Sequence, residues 1–244
     1  MKCRVMTYNI QSCRDCFGTF GTQKQLAEFI GKYNPDVVIL NEVHDAGGVP
    51  PYTTDQAGEI AEALGGWNHY FAEAINIPIV GGPYGNAIIS PHPIENVSVT
   101  LVPLLPLAEG EVAEDYREAR CILRAEIRIG EKTLVVFGSH YGLTKKEKQY
   151  AVSLTTELLD RETMPHVFMG DLNMLPEDEI LAPVFARMQD TGVLLDPSVK
   201  SFPADNPNIK IDYIFASKDI RMLSAEIPES LVSDHRPYIA DIEF

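Results

Sequence analysis

The stretch Met164-Pro-His-Val-Phe-Met-Gly-Asp-Leu-Asn-Met174 decides how the chain is read. Val167, Phe168 and Met169 form a short apolar run suited to a buried strand, and Gly170 breaks it just before two polar groups. Asp171 and Asn173 then sit where a strand meets its loop, two residues apart on an extended backbone and so on one side. A carboxylate and an amide held together on a rigid strand end can grip a divalent cation or orient a water beside a phosphate. Gly-Asp and Leu-Asn are also good turn formers, and the segment alone favours a plain turn. The rest of the chain decides, because four more segments end in the same way.

Working outward, residues 3 to 10 read as a strand with Asn9 near its end. Thr22 opens an amphipathic helix with Leu26, Phe29, Ile30 and Tyr33 on one face, stopped by Asn34-Pro35. Asp36 to Leu40 carries the unbroken run Val37 to Leu40, typical of a strand covered on both faces, and delivers Asn41, Glu42, Val43 and His44 to its end. A second helix spans Thr54 to Leu64 and closes at Gly65-Gly66. From Trp67 the alternation suggests antiparallel strands over 68–74, 85–90, 94–101, 120–129 and 132–140, the last two joined by a turn at Gly130-Glu131. Val102 to Glu118, with Glu109, Glu111, Glu114 and Asp115, reads as an exposed acidic loop at the rim of a site. Thr144-Lys-Lys-Glu147 is a capping box that starts a helix to Arg161. A further helix from Pro176 to Gln189 must bend or break at Pro183, and strands over 210–216, 220–227 and 236–243 finish the chain. No repeat or low-complexity linker appears, so residues 1–244 are read as one domain.

The 244 residues carry 20 Lys plus Arg against 35 Asp plus Glu, a formal charge of −15. That surface repels a long polyanion unless cations or a local basic patch offset it, which lowers the expectation of a DNA substrate. No apolar run has the length of a signal peptide or a membrane span, so a cytoplasmic protein is expected. Of four cysteines, Cys13 and Cys16 resemble half a zinc site but have no second pair, and plain cysteine is the better reading.

The polar groups at strand ends are Asn9, Glu42, His140, Asp171, Asn173, Asp212, Asp234 and His235. A lone carboxylate such as Asp212 in the strand Lys210-Ile-Asp-Tyr-Ile-Phe-Ala216 is costly unless compensated. Set behind His235, it would fix the tautomer of that imidazole and raise its basicity. Singly, these acids and histidines read as solvated or backbone-satisfied groups; only their joint pattern points to catalysis.

In order along the chain, Asn9 in Met-Thr-Tyr-Asn-Ile, Glu42 in Leu-Asn-Glu-Val, Gly85-Asn-Ala-Ile-Ile-Ser90, His140 in Gly-Ser-His, Gly170-Asp-Leu-Asn173, Ile211-Asp-Tyr-Ile-Phe215 and Ser233-Asp-His-Arg-Pro237 resemble the endonuclease/exonuclease/phosphatase superfamily. The resemblance spans residues 4 to 243 and implies an α+β fold, a four-layer α/β/β/α sandwich of two mixed, mostly antiparallel sheets flanked by helices. It implies Glu42 as principal metal ligand with Asn9 and Asp234 nearby, and Mg²⁺ or Mn²⁺ as the cation, since oxygen donors suit a hard ion. Asp171 would orient or deprotonate the attacking water, Asn173 would hold a phosphate oxygen, and His140 and His235, the latter backed by Asp212, would handle protons. Asn86 and Arg120 would contact the substrate, Arg120 with its planar fork. Asn41 stands where the family usually has Gln, and Asn86 where deoxyribonuclease I has an acid behind its first histidine, so His140 lacks a carboxylate support. The function expected is a metal-dependent phosphoesterase acting on a phosphomonoester or phosphodiester, a small phosphorylated molecule being favoured over nucleic acid. A DNA or RNA nuclease, a non-catalytic binding module of the same fold, and a phospholipid headgroup diesterase touching a membrane through Ile77, Ile79 and Val80 are the alternatives. The sequence is silent on oligomeric state.

Overall fold

An unbroken run such as Val37-Val-Ile-Leu40 has no polar face to give to water, so the strand that carries it must be covered twice. A computed structural model of the chain, describing residues 1–77, 81–106 and 117–244, provides that cover. Strand β2 (Val37–His44) runs parallel to β1 (Lys2–Asn9), and the crossover between them is helix α1 (Gln23–Tyr33). Val5, Val37 and Ile39 face an apolar layer shared with a second sheet, whereas Met6, Tyr8, Val38 and Leu40 pack beneath Leu26, Ala27 and Ile30 of α1. Helix α2 (Gln56–Ala63), capped by the Asp55 carboxylate, adds Ala57 and Ile60 to the same outer layer.

The second sheet repeats this device. Strand β7 (Lys132–Ser139) is parallel to β8 (His166–Asp171) across helix α3 (Lys145–Arg161), which the Thr144–Glu147 capping box starts. Val136, Val167 and Met169 face the inter-sheet layer, while Val135, Phe137 and Phe168 pack under Ala151, Val152 and Leu159 of α3 and Val184 of α4 (Ala182–Arg187). The remaining strands are β3 (Asn68–Ile77), β4 (Gly82–Ser90), β5 (Ile94–Val102), β6 (Arg120–Ile129), β9 (Gln189–Asp190), β10 (Asp212–Ala216), β11 (Arg221–Glu226) and β12 (Tyr238–Glu243). The two six-stranded sheets have the orders β11-β12-β1-β2-β4-β3 and β5-β6-β7-β8-β10-β9, and every pairing in them except the two central ones is antiparallel. The expected α/β/β/α sandwich is thus the fold observed.

Several local expectations change. Gly170 does not break its strand; β8 continues through it to Asp171, and the position requires glycine because a Cβ there would lie 1.8 Å from the Ser139 carbonyl oxygen of β7 and φ is +148°. β2 likewise continues past Leu40 to His44. The helix expected from Pro176 is a 3₁₀ turn, Glu179–Leu181, followed by α4, whose first turn Pro183 occupies rather than bends. Asp212 opens β10 instead of interrupting it. The acids Glu109, Glu111, Glu114 and Asp115 of the expected rim loop, and Ile79 and Val80 of the expected membrane contact, lie outside the described residues; Ile75 to Ile77 belong to edge strand β3. Among the described residues no helix is long and apolar enough to cross a membrane, and the four cysteines are free. Gly170→Ala is expected to lower stability to urea denaturation by ~2 kcal/mol or more, through overpacking against β7 and a backbone angle hostile to a side chain.

Candidate active site

Both parallel pairs end at one edge of the sandwich, and that is where the polar residues collect. Asn9 ends β1 in register with Asn41 of β2, and Asn41 is in register with Asn86 of β4. The next register pair is Val43 with Gly85, which leaves Glu42 as the extra residue of a β-bulge with φ +57°. This conformation is costly for a non-glycine residue, and it takes Glu42 out of the strand alternation into a cavity of about 630 Å³. In the second sheet the antiparallel register sets Asp171 at the end of β8 opposite Asp212 at the start of β10.

The same cavity is lined by Tyr84, Glu118, Arg120, His140, Asp171, Asn173, Asp234 and His235. Asn9 ties the two sheets together: its Nδ2 donates to Glu42 Oε1 at 2.9 Å and to Asp171 Oδ2 at 3.1 Å. A second amide link runs beneath it. The Asp171 backbone N–H donates to Asn41 Oδ1 (3.0 Å), Asn41 Nδ2 donates to Asn86 Oδ1 (2.8 Å), and Asn86 Nδ2 donates to the Cys121 carbonyl (3.2 Å). Asn86, expected to contact the substrate, is 2% exposed and does not line the cavity; its oxygen accepts from Asn41 and its amide nitrogen donates to Cys121.

Asn173 does not share an extended strand with Asp171. It has φ +51°, and a turn in which its N–H donates to Asp171 Oδ1 at 2.9 Å brings the two together. Its Nδ2 donates to the Tyr141 carbonyl at 3.0 Å and lies 3.0 Å from His140 Nε2. Asp171 Oδ2 faces both imidazoles, 3.5 Å from His140 Nε2 and 3.6 Å from His235 Nε2.

The two histidines are held in different protonation states. His235 Nδ1 is 3.0 Å from Asp212 Oδ2. Burial alone would lower its pKa, but the Asp212 and Asp171 carboxylates outweigh burial and raise it to about 10, so the ring is an imidazolium at neutral pH. His140 has Arg120 where an acid would be: Arg120 Nη1 donates to His140 Nδ1 at 3.0 Å. A guanidinium never gives up its proton, so Nδ1 is the acceptor and the neutral ring carries its proton on Nε2, where Asp171 Oδ2 is the acceptor it faces and the Asn173 amide nitrogen, also a donor, is a neighbour rather than a hydrogen-bond partner. Burial, then Arg120, then His235 hold the His140 pKa well below its ordinary value. Arg120 is itself braced by Glu118 at 2.5 Å and by the Tyr84 hydroxyl. Arg120, expected from the sequence to contact the substrate, lines the cavity but pairs with Glu118, and one terminal nitrogen serves His140.

Burial raises the carboxyls of Glu42, Asp171 and Asp234 above the ordinary carboxylate range. Asp234 accepts from Gln11 Nε2 at 2.6 Å, and the buried Gln11 Oε1 has no partner. The Glu42 and Asp234 carboxylates with the amide oxygens of Asn9 and Gln11, the latter without a partner, make an all-oxygen donor set that fits a hard divalent cation better than zinc. Asp171, Asp212 and His235 also place ligand atoms within 4.8 Å of one another, a grouping that could hold a cation, although the 3.0 Å contact of His235 with Asp212 already pairs two of the three. Gln11 and Tyr84 were not singled out in the sequence: Gln11 follows its strand in a left-handed turn (φ +47°), and Tyr84 precedes the quoted Gly85 motif. The four remaining histidines are satisfied elsewhere, as with His44 Nδ1 at 2.7 Å from the Gly81 carbonyl and His92 Nε2 at 2.8 Å from Asp36.

The sequence model of the Endonuclease/Exonuclease/phosphatase family matches residues 6–235. The chain belongs to that family. Family members are generally hydrolases, and divalent-metal dependence is typical of them. The uncharacterized protein YbhP of Escherichia coli K12 is 24% identical over 264 aligned residues, covering 98% of this chain and 95% of YbhP. Among solved structures, an endonuclease/exonuclease/phosphatase from Beutenbergia cavernae superposes with a TM-score of 0.82 at 22% identity, over 100% of this chain and 72% of that one. A mannosyl-6-phosphatase from Bacteroides thetaiotaomicron superposes with a TM-score of 0.77 at 14% identity, covering 99% of this chain and 100% of its own.

The opposed histidine environments are open to NMR titration of the metal-free protein. The His235 ring is expected to lose its proton near pH 10, and Asp212→Asn to bring that transition down by removing the larger of its two raising charges. His140 is expected to stay neutral across the range where ordinary histidines titrate, and Arg120→Met to raise its pKa. A His140 that titrates near 6.5 in the unaltered protein would contradict the assignment.

Proposed function

We propose that the chain hydrolyses a phosphoester by direct in-line attack of water, with Mg²⁺ or Mn²⁺ held by Glu42 and Asp234 beside Asn9. The observation that carries this reading is Asp171: one buried carboxylate oxygen faces both imidazoles, in the cavity that Glu42 and Asp234 also line. A carboxylate whose proton affinity burial has raised is matched to taking a proton from water near neutral pH. His235, protonated through Asp212, donates to the phosphoryl group as its charge develops. Neutral His140 offers its Nε2–H and Asn173 its amide to a phosphate oxygen, and Arg120 keeps His140 in that state. Glu42 and Asp234 would hold the cation, which would supply charge neutralisation at the phosphate and the leaving oxygen. No Ser, Thr or Cys is among the described residues lining the cavity, which favours attack by water over a covalent intermediate.

A small phosphorylated substrate, monoester or diester, is preferred to nucleic acid. The formal charge of −15 and the four carboxylates lining the cavity repel a polyanion unless each phosphate is met by a cation. The name of the Bacteroides neighbour, a phosphatase of a sugar phosphate, agrees with that preference.

With Mn²⁺, the purified protein is expected to hydrolyse bis(p-nitrophenyl) phosphate or p-nitrophenyl phosphate, and a chelator to stop it. Glu42→Ala and His235→Ala should each lower kcat/KM by ~100-fold or more. No turnover across a broad panel of monoesters and diesters, with the fold intact, would favour a binding module instead.

A further inference from the structure

The catalytic cavity has two unlike walls. Opposite in character to the acids, amides and imidazoles stand Leu143, Leu175, Phe202, Ile209 and Ile211, all lining the same space. Leu143 and Leu175 are each 38% exposed beside the charged groups of this cavity. Neither belongs to the apolar clusters of the core.

This wall is built rather than incidental. Phe202 and Ile209 form an antiparallel β-bridge, with Ile209 N–H donating to the Phe202 carbonyl at 3.1 Å and Phe202 N–H to the Ile209 carbonyl at 3.1 Å. The bridge is fastened to the loop that carries His235: Ala204 N–H donates to the Asp234 carbonyl at 2.7 Å and Arg236 N–H to the Ser201 carbonyl at 2.7 Å. The Phe202 ring lies 4.7 Å, centroid to centroid, from the His235 imidazole. An apolar surface is thereby held in fixed register beside the group that meets the phosphate.

We propose that this wall is a subsite for an alkyl or aryl group esterified to, or carried on, the phosphorus, and that the substrate is a phosphoester with an apolar organic part rather than a sugar phosphate or a nucleic acid. The inference rests on the phosphoester-hydrolase reading of the same cavity and deepens it. A sugar or a ribose-phosphate chain would leave its hydroxyls facing carbon on this side without partners, whereas an aromatic ring or alkyl chain gains by leaving water there.

The test compares phenylphosphonate with methylphosphonate, two non-hydrolysable probes with the same anionic head, by calorimetric titration of the full chain in Mn²⁺. The phenyl probe is expected to bind ~10-fold or more tightly, as the transfer of a ring from water to an apolar wall implies. In Ile209→Ser, and separately in Leu143→Ser/Leu175→Ser, whose two sites are exposed loop positions, the preference is expected to fall below ~3-fold. Equal binding of the two probes, or a preference that survives in both variants, overturns the subsite. Hydrolysis of nitrophenyl esters with no phenyl preference would sink this inference and leave the hydrolase standing. A phenyl preference without turnover of any ester would sink the hydrolase reading, and with it the substrate class, and leave only an apolar binding subsite.

Discussion

The structure depends on negative charge brought out of water. Glu42, Glu118, Asp171 and Asp234 line one cavity with Arg120 and protonated His235 as their cations, and burial pushes three of the four carboxyls upward. Gathering like charges at reduced solvation works against folding, so the arrangement is stable only if neutral donors hold each group and a further cation can complete it. Asn9 supplies the first of these, standing between Glu42 and Asp171 with one amide nitrogen for both. The Asp171–Asn41–Asn86–Cys121 chain of hydrogen bonds supplies the second, linking strands of both sheets beneath the acids.

The backbone bends to serve that gathering. Glu42 sits in a bulge at positive φ, Asn173 in a left-handed turn, and Gly170 at an angle and a distance from Ser139 that only glycine tolerates. These departures from regular geometry cluster where the two parallel strand pairs end. The rest of the sandwich is regular, with alternating residues dividing between the inter-sheet layer and the helices outside. Charge then divides labour between two chemically identical rings. Asp212 behind His235 makes a cation of it, and Arg120 behind His140 makes a neutral donor.

The layers were legible because Val37 to Leu40 and the capping box at Thr144 report directly on burial and helix start. The convergence of Asn9, Glu42, His140, Asp171, Asn173, Asp212, Asp234 and His235 followed from motif order, since each falls near a strand terminus or in an adjoining loop. What the residues did not reveal is how side chains choose among partners. Asn86 looked like a substrate contact, yet two residues in register with it, Asn41 on one side and Ala72 on the other, enclose it. Arg120 looked free to clamp phosphate, and its capture by His140 and Glu118 is a matter of rotamer and packing. Gln11 and the Phe202–Ile209 bridge were invisible for the same reason: their meaning lies in contacts hundreds of residues apart or across an irregular loop, where no periodicity marks them.

The most direct measurement is the thermal unfolding of the metal-free protein and of Glu42→Gln, each with and without Mn²⁺. Because the folded-state pKa of Glu42 is raised, its ionised form costs the folded protein stability at neutral pH, and Gln removes that cost while keeping an acceptor for Asn9. The metal-free variant should therefore unfold above the unaltered protein, by about 2–4 °C for each kcal/mol relieved, and Mn²⁺ should raise the midpoint of the unaltered protein much more than that of the variant. A variant that is less stable without metal, and an equal Mn²⁺ effect on both proteins, would contradict a site built from strained negative charge awaiting a cation.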